Sequence, residues 1–242
     1  MEFLVRIAEI NILIHSKYER VYRDCRDYII KEPQGHDLEI VIDEGMLSKE
    51  LEQIQQSDIN FHSLKAAESL LVHRLIAEAL PDYNAFLMHG ASVAVNDSAY
   101  LFSAKSGTGK TTHVRRWLKG LDNAFVVNGD KTVILMRENE AFACGTPWCG
   151  KEKFGRNVLV PLKSIIMMER SDRNYMEKVS FKTVFPSLLE QTFLSSDARK
   201  MKKTLNLMSQ MGHLVSFYKF YFNNYREDSF QVAYSALSDS GT

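Results

Sequence analysis

A glycine-rich loop is the strongest chemical signal in the sequence. It runs Ser106-Gly107-Thr108-Gly109-Lys110-Thr111-Thr112, between an apolar stretch that predicts a strand and an amphipathic stretch that predicts a helix. Glycines let the backbone approach an anion, so amide N–H groups and the positive end of the helix dipole converge on phosphate oxygens. In this pattern the lysine reaches the β- and γ-phosphates and the next hydroxyl ligates magnesium. We therefore expect these seven residues to bind a nucleotide and Thr111 to bind its metal.

The sequence departs from the full phosphate-loop pattern at one position. The pattern places a glycine five residues before Gly109, and this chain has Ala104 there. Alanine costs about 1 kcal/mol if the site needs a positive φ, and nothing if it does not. A glycine-rich turn with a chance lysine is the alternative interpretation, but the flanking strand and helix favour a phosphate site.

An acidic residue follows the loop after one further predicted strand. Phe125 to Val127 is a short apolar run, and Asn128-Gly129-Asp130-Lys131 comes directly after it. Asp130 lies only 20 residues beyond Lys110, whereas most phosphate-loop proteins place their second acid well over about fifty residues downstream. This early acid separates the chain from most phosphate-loop proteins.

Four sequence blocks together resemble the HPr kinase/phosphorylase-like proteins, whose nucleotide loop is shared with ATP-dependent phosphoenolpyruvate carboxykinases. The blocks are His89-Gly90, residues 101–112, residues 128–131 and residues 145–152, and a looser resemblance continues to residue 170. The resemblance implies an α/β fold, with a phosphoenolpyruvate-carboxykinase-like P-loop core of mixed sheet and hairpins over residues 85–242. A small N-terminal α/β layer, residues 1–84, precedes this core.

The resemblance also implies roles for individual side chains. Asp130 matches the family's aspartate beside the γ-phosphate, which binds magnesium or takes the proton of an attacking hydroxyl. His89 lies near that carboxylate in the family and orients or tunes it. The family usually has two adjacent acids here, and this chain has Gly129 in place of the first, so either Asp130 does both jobs or another carboxylate is the base. The expected catalytic residues are Asp130, Lys110, His89 and Glu152, and the expected metal ligands are Thr111 and Asp130.

These expectations favour an ATP-dependent kinase that uses Mg²⁺ and transfers the γ-phosphoryl group to a hydroxyl. Serine of a protein or peptide is the expected acceptor, and a small hydroxylated metabolite is an alternative. Gly129 in place of an acid supports a further alternative, a nucleotide-binding regulator without transfer activity. The missing acid also argues against the reverse, phosphate-releasing activity of bifunctional family members. Members of the resembling family can assemble, so the resemblance leaves a homo-oligomer open, although no interface is readable in the sequence.

The elements that would position these residues follow from hydrophobic periodicity. Apolar residues alternate from Phe3 to Ile14 with a slip near Glu9, which predicts one bent or bulged strand. Residues 89–95 and 99–102 predict strands joined by a turn at Asn96-Asp97, and residues 132–136 with 141–144 predict a second hairpin. Ser63 predicts a helix start. Further helices are predicted after the loop and over residues 186–194, 197–211 and 228–237, with a strand over 214–222. No Pro/Gly-rich linker separates the halves, so we expect no independent domains.

Composition excludes several classes of function. The chain has 30 basic and 30 acidic residues, so no overall field draws it onto nucleic acid or an anionic membrane. Its three cysteines are unevenly spaced and match neither a disulfide framework nor a Cys-x-x-Cys zinc set. No apolar run reaches the roughly 18 residues of a membrane span, and acids interrupt the apolar N-terminus, unlike a signal peptide. We expect a cytoplasmic protein.

Overall fold

One small and one large β-sheet organise a mixed α/β fold. The computed structural model of the chain describes residues 1–31, 35–55 and 63–238. The strands are β1 (Glu2–Ile7), β2 (Ile10–His15), β3 (Leu38–Val41), β4 (Ala85–His89), β5 (Ala91–Val95), β6 (Ser98–Ser103), β7 (Phe125–Asn128), β8 (Lys131–Arg137), β9 (Glu140–Cys144), β10 (Leu159–Arg170), β11 (Tyr175–Val179) and β12 (Ser216–Phe222). The α-helices are α1 (Glu19–Asp24), α2 (Glu44–Gln55), α3 (Leu64–Ala79), α4 (Lys110–Gly120), α5 (Phe181–Gln191), α6 (Ala198–Met211) and α7 (Ser229–Ser238).

The N-terminal sheet has the order β1-β2-β3, and its first two strands form an antiparallel hairpin. The prediction of one bent strand is therefore wrong. Ala8 and Glu9 form the turn with φ of +49° and +66°, as a two-residue hairpin turn of the primed type requires. The period-two pattern misled because Ile7 pairs with Ile10 across the turn. The alternation of apolar and polar residues therefore continues from β1 into β2, and the two-residue turn appears in the sequence only as a one-position shift of that pattern.

Helix α3 packs this small sheet onto the rest of the chain. Ser63 caps the helix, because its hydroxyl accepts a hydrogen bond from the Ala66 N–H at 3.3 Å, as the sequence predicts. Buried residues of β1, β2 and α3 share one hydrophobic cluster with Leu87, Val133 and Phe142 of the larger sheet. The N-terminal layer and the larger sheet therefore have a common core.

The large sheet is mixed and curls around its longest strand, β10. The strand order is β4-β8-β9-β10-β6-β5-β7, and β12 also pairs with β10 and carries β11 at its other side. The first residues of β10 pair antiparallel with β9, and its second half pairs parallel with β6 and β12. The predicted α/β class with a mixed sheet and hairpins is confirmed, while a phosphoenolpyruvate-carboxykinase-like core stays a prediction.

The predicted strand over residues 89–95 is two strands in the structure. β4 ends at His89 and β5 begins at Ala91, so Gly90 stands at the break. A Cβ at Gly90 would lie 2.8 Å from Cδ2 of Leu101 and 3.1 Å from the Phe102 carbonyl oxygen. A side chain at this position would therefore press on both the Leu101 side chain and the neighbouring backbone. Both predicted hairpins, β5–β6 and β8–β9, are present.

Two helix boundaries differ in how well the sequence predicts them. Helix α5 begins at Phe181, five residues before the predicted start at Pro186, because the Ser180 hydroxyl accepts from the Thr183 N–H and caps it. Helix α6 begins at Ala198, one residue after the predicted start, because the Asp197 side chain accepts from the N–H groups of Arg199 and Lys200 and caps it. Its terminal Gly212 has a right-handed φ of −57°, and glycine is needed there because a Cβ would lie 2.8 Å from the Phe181 ring.

Among the residues in the described ranges, no helix combines the length and apolar character that a membrane crossing would require.

Candidate functional site

The glycine-rich loop connects β6 to the first residue of α4, as the sequence predicts. Gly107 has a φ of +77° and Gly109 a φ of +121°. Glycine adopts such positive φ values without strain, which explains why both positions are glycine. A Cβ at Gly109 would also lie 2.4 Å from Cε1 of Phe222. Ala104, where the full pattern has glycine, is not among the residues with positive φ. Alanine therefore causes no backbone strain at this position.

Lys110 points back along its own loop. Its Nζ donates to the carbonyl oxygen of Ala104 at 2.8 Å, and the residue is only 8% exposed. Burial lowers the pKa of Lys110, and the charge of Asp130 partly opposes that shift. Arg170, the last residue of β10, donates to the Gly107 carbonyl oxygen at 2.6 Å. Two basic side chains thus donate hydrogen bonds to carbonyl oxygens in and beside the loop.

A tight turn between β7 and β8 presents Asp130. The Oδ1 atom of buried Asn128 accepts from the N–H of Asp130 at 2.9 Å and of Lys131 at 2.7 Å. The amide nitrogen of Asn128 donates to the Thr146 carbonyl and hydroxyl oxygens at 3.1 and 3.0 Å. An Asn side chain that bonds the backbone two and three residues on fixes such a turn. Asn128 therefore determines where the Asp130 carboxylate sits.

His89 connects the Asp130 carboxylate to the end of α5. Its Nε2 lies 3.1 Å from Oδ1 of Asp130, and its Nδ1 lies 3.0 Å from Oε1 of Gln191. Burial acts to raise the pKa of Asp130. The hydrogen bond from His89 and the charges of Lys131 and Lys110 outweigh this effect, so the pKa of Asp130 lies below its ordinary value. The carboxylate is therefore ionised at neutral pH.

Gly129 has no room for a side chain. A Cβ there would lie 2.7 Å from the Cys149 carbonyl oxygen and 3.1 Å from the Phe154 carbonyl oxygen. The Gly129 N–H donates to the Phe154 carbonyl at 2.8 Å. The loop after β9 thus packs its backbone against the position where the resembling family carries its first acid.

A cleft of about 510 Å³ brings most of the predicted site residues together. Glu152 enters it from the loop after β9, and its carboxylate pairs with the Arg115 guanidinium of α4 at 2.6 Å. Thr108 is not part of the lining, because its hydroxyl and N–H both donate to the Lys105 carbonyl. The predicted residues that line the cleft are Ser106, Gly107, Gly109, Lys110, Thr111, Thr112, Asp130, His89 and Glu152.

The donor set on the cleft suits a nucleotide with magnesium. Mg²⁺ prefers oxygen ligands and usually takes only one or two from the protein, the rest coming from phosphates and water. Thr111 and Asp130 offer one hydroxyl and one carboxylate to the same cleft. In the described part of the chain, no group of three or more His, Cys, Asp or Glu side chains could hold a metal by itself.

A second cavity of about 640 Å³ adjoins the cleft and shares Asp130, Cys149, Gly150 and Lys151 with it. Trp148 also lines this cavity, where its ring lies 4.6 Å from that of His73. Trp148 and Cys149 thus form a wall of the site. Arg156, further along the loop after β9, lines neither space, and its guanidinium lies 4.7 Å from the centre of the Phe125 ring.

Several residues of the site carried no readable signal in the sequence. Gln191 is 102 positions from His89. A glutamine at the end of a predicted helix gives no sign that it contacts a distant histidine. Arg115 and Arg170 resemble ordinary surface cations. Asn128 offered the best signal, since Asn-Gly is a strong turn dipeptide, but its bonds to Thr146 required the fold.

Comparisons with known proteins add little to this geometry. No protein-family model matches the chain, and no curated protein matches it. Among solved structures, the HPr(Ser) kinase/phosphatase from Coxiella burnetii is similar to the chain at 9% sequence identity, with a TM-score of 0.39. The match covers 64% of this chain and 99% of that chain. A similarity at this level says nothing about what this chain binds, so the site itself must carry the case for its function.

Proposed function

We propose that the chain is an ATP-dependent kinase that transfers the γ-phosphoryl group to a hydroxyl. One observation carries the proposal: a phosphate-type loop with a lysine at its helix start faces the same cleft as Asp130, whose carboxylate contacts His89. Phosphoryl transfer requires mainly positioning and charge neutralisation, which these groups supply. Serine of a protein or peptide, and a small hydroxylated molecule, are the acceptor classes that the resemblance offers.

The loop would hold the nucleotide phosphates. Amides of residues 106, 107 and 109–111, which include the start of α4, bind the anion, and Lys110 leaves the Ala104 carbonyl for the β- and γ-oxygens. Bound Mg²⁺ would supply neutralisation of the phosphate charge. Thr111 and Asp130 are the residues that would hold it. The lowered pKa of Lys110 rises again as phosphate charge approaches, so the lysine is fully charged when it acts.

Asp130 would orient the acceptor and receive its proton. The hydroxyl oxygen forms a bond to the γ-phosphorus, the bond to the β–γ bridging oxygen breaks, and ADP leaves. A carboxylate with a lowered pKa is a weak base toward a free alcohol. Its proton uptake therefore comes late, once the hydroxyl has become acidic during transfer. His89 is held by Gln191 and keeps the carboxylate in place.

A nucleotide-binding regulator without transfer activity is the second candidate. The packing around Gly129 favours it, because a second acid at this turn would meet the Cys149 and Phe154 carbonyl oxygens. Such a protein would use Asp130 and His89 to sense the nucleotide rather than to activate a hydroxyl.

Labelled nucleotide separates the two candidates. The protein is incubated with γ-labelled ATP, Mg²⁺ and cell lysate, and transfer of label is followed with the wild type and with Asp130→Asn. A kinase loses turnover in Asp130→Asn, whereas saturable nucleotide binding persists because the phosphate loop is untouched. Saturable ATP binding without any transfer by the wild type supports the regulator. Absence of saturable ATP binding contradicts both.

A further inference from the structure

The cavity beside the nucleotide cleft has the size and position of an acceptor site. Its volume of about 640 Å³ lies within the roughly 300–1,000 Å³ of typical small-molecule sites. Asp130 belongs to the lining of both spaces. A molecule in the cavity can therefore present a hydroxyl to the carboxylate that faces the phosphate loop.

Both layers of the fold build this cavity. Tyr28, Arg23 of α1 and Leu70 of α3 come from the N-terminal layer, and Lys131 and Trp148 come from the core. The N-terminal layer thus contributes a wall to the site as well as a packing surface.

The lining of the cavity is strongly basic. Six Arg and Lys side chains line it against three Asp side chains. Each Asp already has a partner: Asp24 accepts from the Ser69 hydroxyl at 2.9 Å, Asp27 lies 3.6 Å from Arg26, and Asp130 contacts His89. Four of the cations form no ion pair with any residue in the described ranges, namely Arg23, Lys131, Lys151 and Lys153.

Neutral side chains complete the lining. Burial lowers the pKa of His73 to about 4, so its ring is uncharged near neutral pH. Tyr28 Oη, His73 Nε2 and Trp148 Nε1 are buried atoms without a hydrogen-bond partner in the described part of the chain. Polar atoms in this condition ordinarily bond to water or to a ligand. The residues around the cavity therefore combine excess positive charge with three buried polar atoms that have no partner in the described ranges.

We infer that the acceptor is a small hydroxylated molecule that carries an anionic group, either a phosphate or a carboxylate. Its hydroxyl faces Asp130 and its anionic group faces the basic wall formed by Arg23, Lys131 and Lys153. This inference rests on the proposed kinase activity and narrows it. A neutral polyol would leave these three cations without an anionic partner, whereas an anion forms charge-assisted hydrogen bonds with them.

Fractionated lysate tests the inference. The lysate is ultrafiltered, the small molecules are separated on an anion exchanger, and the anionic, neutral and macromolecular pools are each incubated with the protein, Mg²⁺ and γ-labelled ATP. We expect label to enter the anionic small-molecule pool. Transfer only to the neutral pool, or only to protein or peptide, overturns the inference and leaves the kinase proposal standing. ATP binding without transfer to any pool contradicts the kinase proposal, and the inference with it.

Variants of the basic wall locate the binding site. Arg23→Gln and Lys153→Gln are expected to raise the amount of anionic pool needed for half-maximal rate by about tenfold each. The KM for ATP stays unchanged, because neither residue lines the nucleotide cleft. Lys202→Gln, at an exposed position on α6, is the matched control and leaves both values unchanged. Equal behaviour of all three variants overturns the assignment of the cavity.

Discussion

Replacement of Gly129 by Asp would restore the acid that the resembling family carries, and we expect it to damage this protein. The new Cβ would lie 2.7 Å from one backbone carbonyl oxygen and 3.1 Å from another. Backbone atoms of a packed loop cannot move aside as a flexible side chain can. Overpacking of this kind costs about 1–3 kcal/mol, and loss of the hydrogen bond from the Gly129 N–H to Phe154 costs about 1 kcal/mol more. We expect a total destabilisation of about 2–4 kcal/mol.

Urea unfolding of Gly129→Asp and Gly129→Ala measures this cost. Gly107→Ala is the matched control, since Gly107 has a φ of +77° and no atom lies within 4 Å of the place that an added methyl group would occupy. It should therefore lose only about 1 kcal/mol, from the backbone conformation. The free energy of unfolding of Gly129→Ala should fall below that of Gly107→Ala. A Gly129→Asp protein as stable as the wild type, with faster phosphoryl transfer, would refute the reasoning.

Three further predictions concern charge. Lys110→Met should weaken Mg-ATP binding by about 10- to 100-fold in calorimetry, because a charged contact to the phosphates is lost; unchanged affinity contradicts the loop assignment. His89→Gln should raise the pKa of Asp130, so the acidic limb of kcat/KM moves to higher pH, and an unmoved limb excludes coupling between these residues. His113 is buried with its pKa lowered from 6.5 to about 3. Between pH 6.5 and 3 this histidine binds a proton only in the unfolded chain. The free energy of unfolding should therefore fall by about 1.4 kcal/mol per pH unit as the pH drops toward 3. Urea unfolding of His113→Gln should show a shallower fall.

The phosphate loop and the two core hairpins can be predicted because their signals are local. Glycines, a lysine at a helix start and polar turn residues such as Asn96-Asp97 act within a few positions of each other. The first hairpin lacks such a signal, since Ala8-Glu9 is not a usual turn pair and only pairing with the partner strand imposes its positive φ.

The candidate site can be predicted in its residue types but not in its geometry. Asp130 and His89 follow from motif positions, yet their contact depends on β4 and β8 lying side by side. Gly129 lacks space because a loop about 20 residues further along the chain packs against it, and His89 contacts Gln191, which is 102 positions away. Hydrophobic periodicity holds no information about which distant backbones meet, so these features required the structure.

The hydrophobic cluster shared by the two sheets sets a limit on how the chain can be divided. Leu87, Val133 and Phe142 lie on β4, β8 and β9, and they pack in one cluster with buried residues of β1, β2 and α3. Removing the first 84 residues would expose these apolar side chains to water. We therefore expect residues 85–242 alone to be less stable than the full chain, because they would lose the N-terminal side of this cluster.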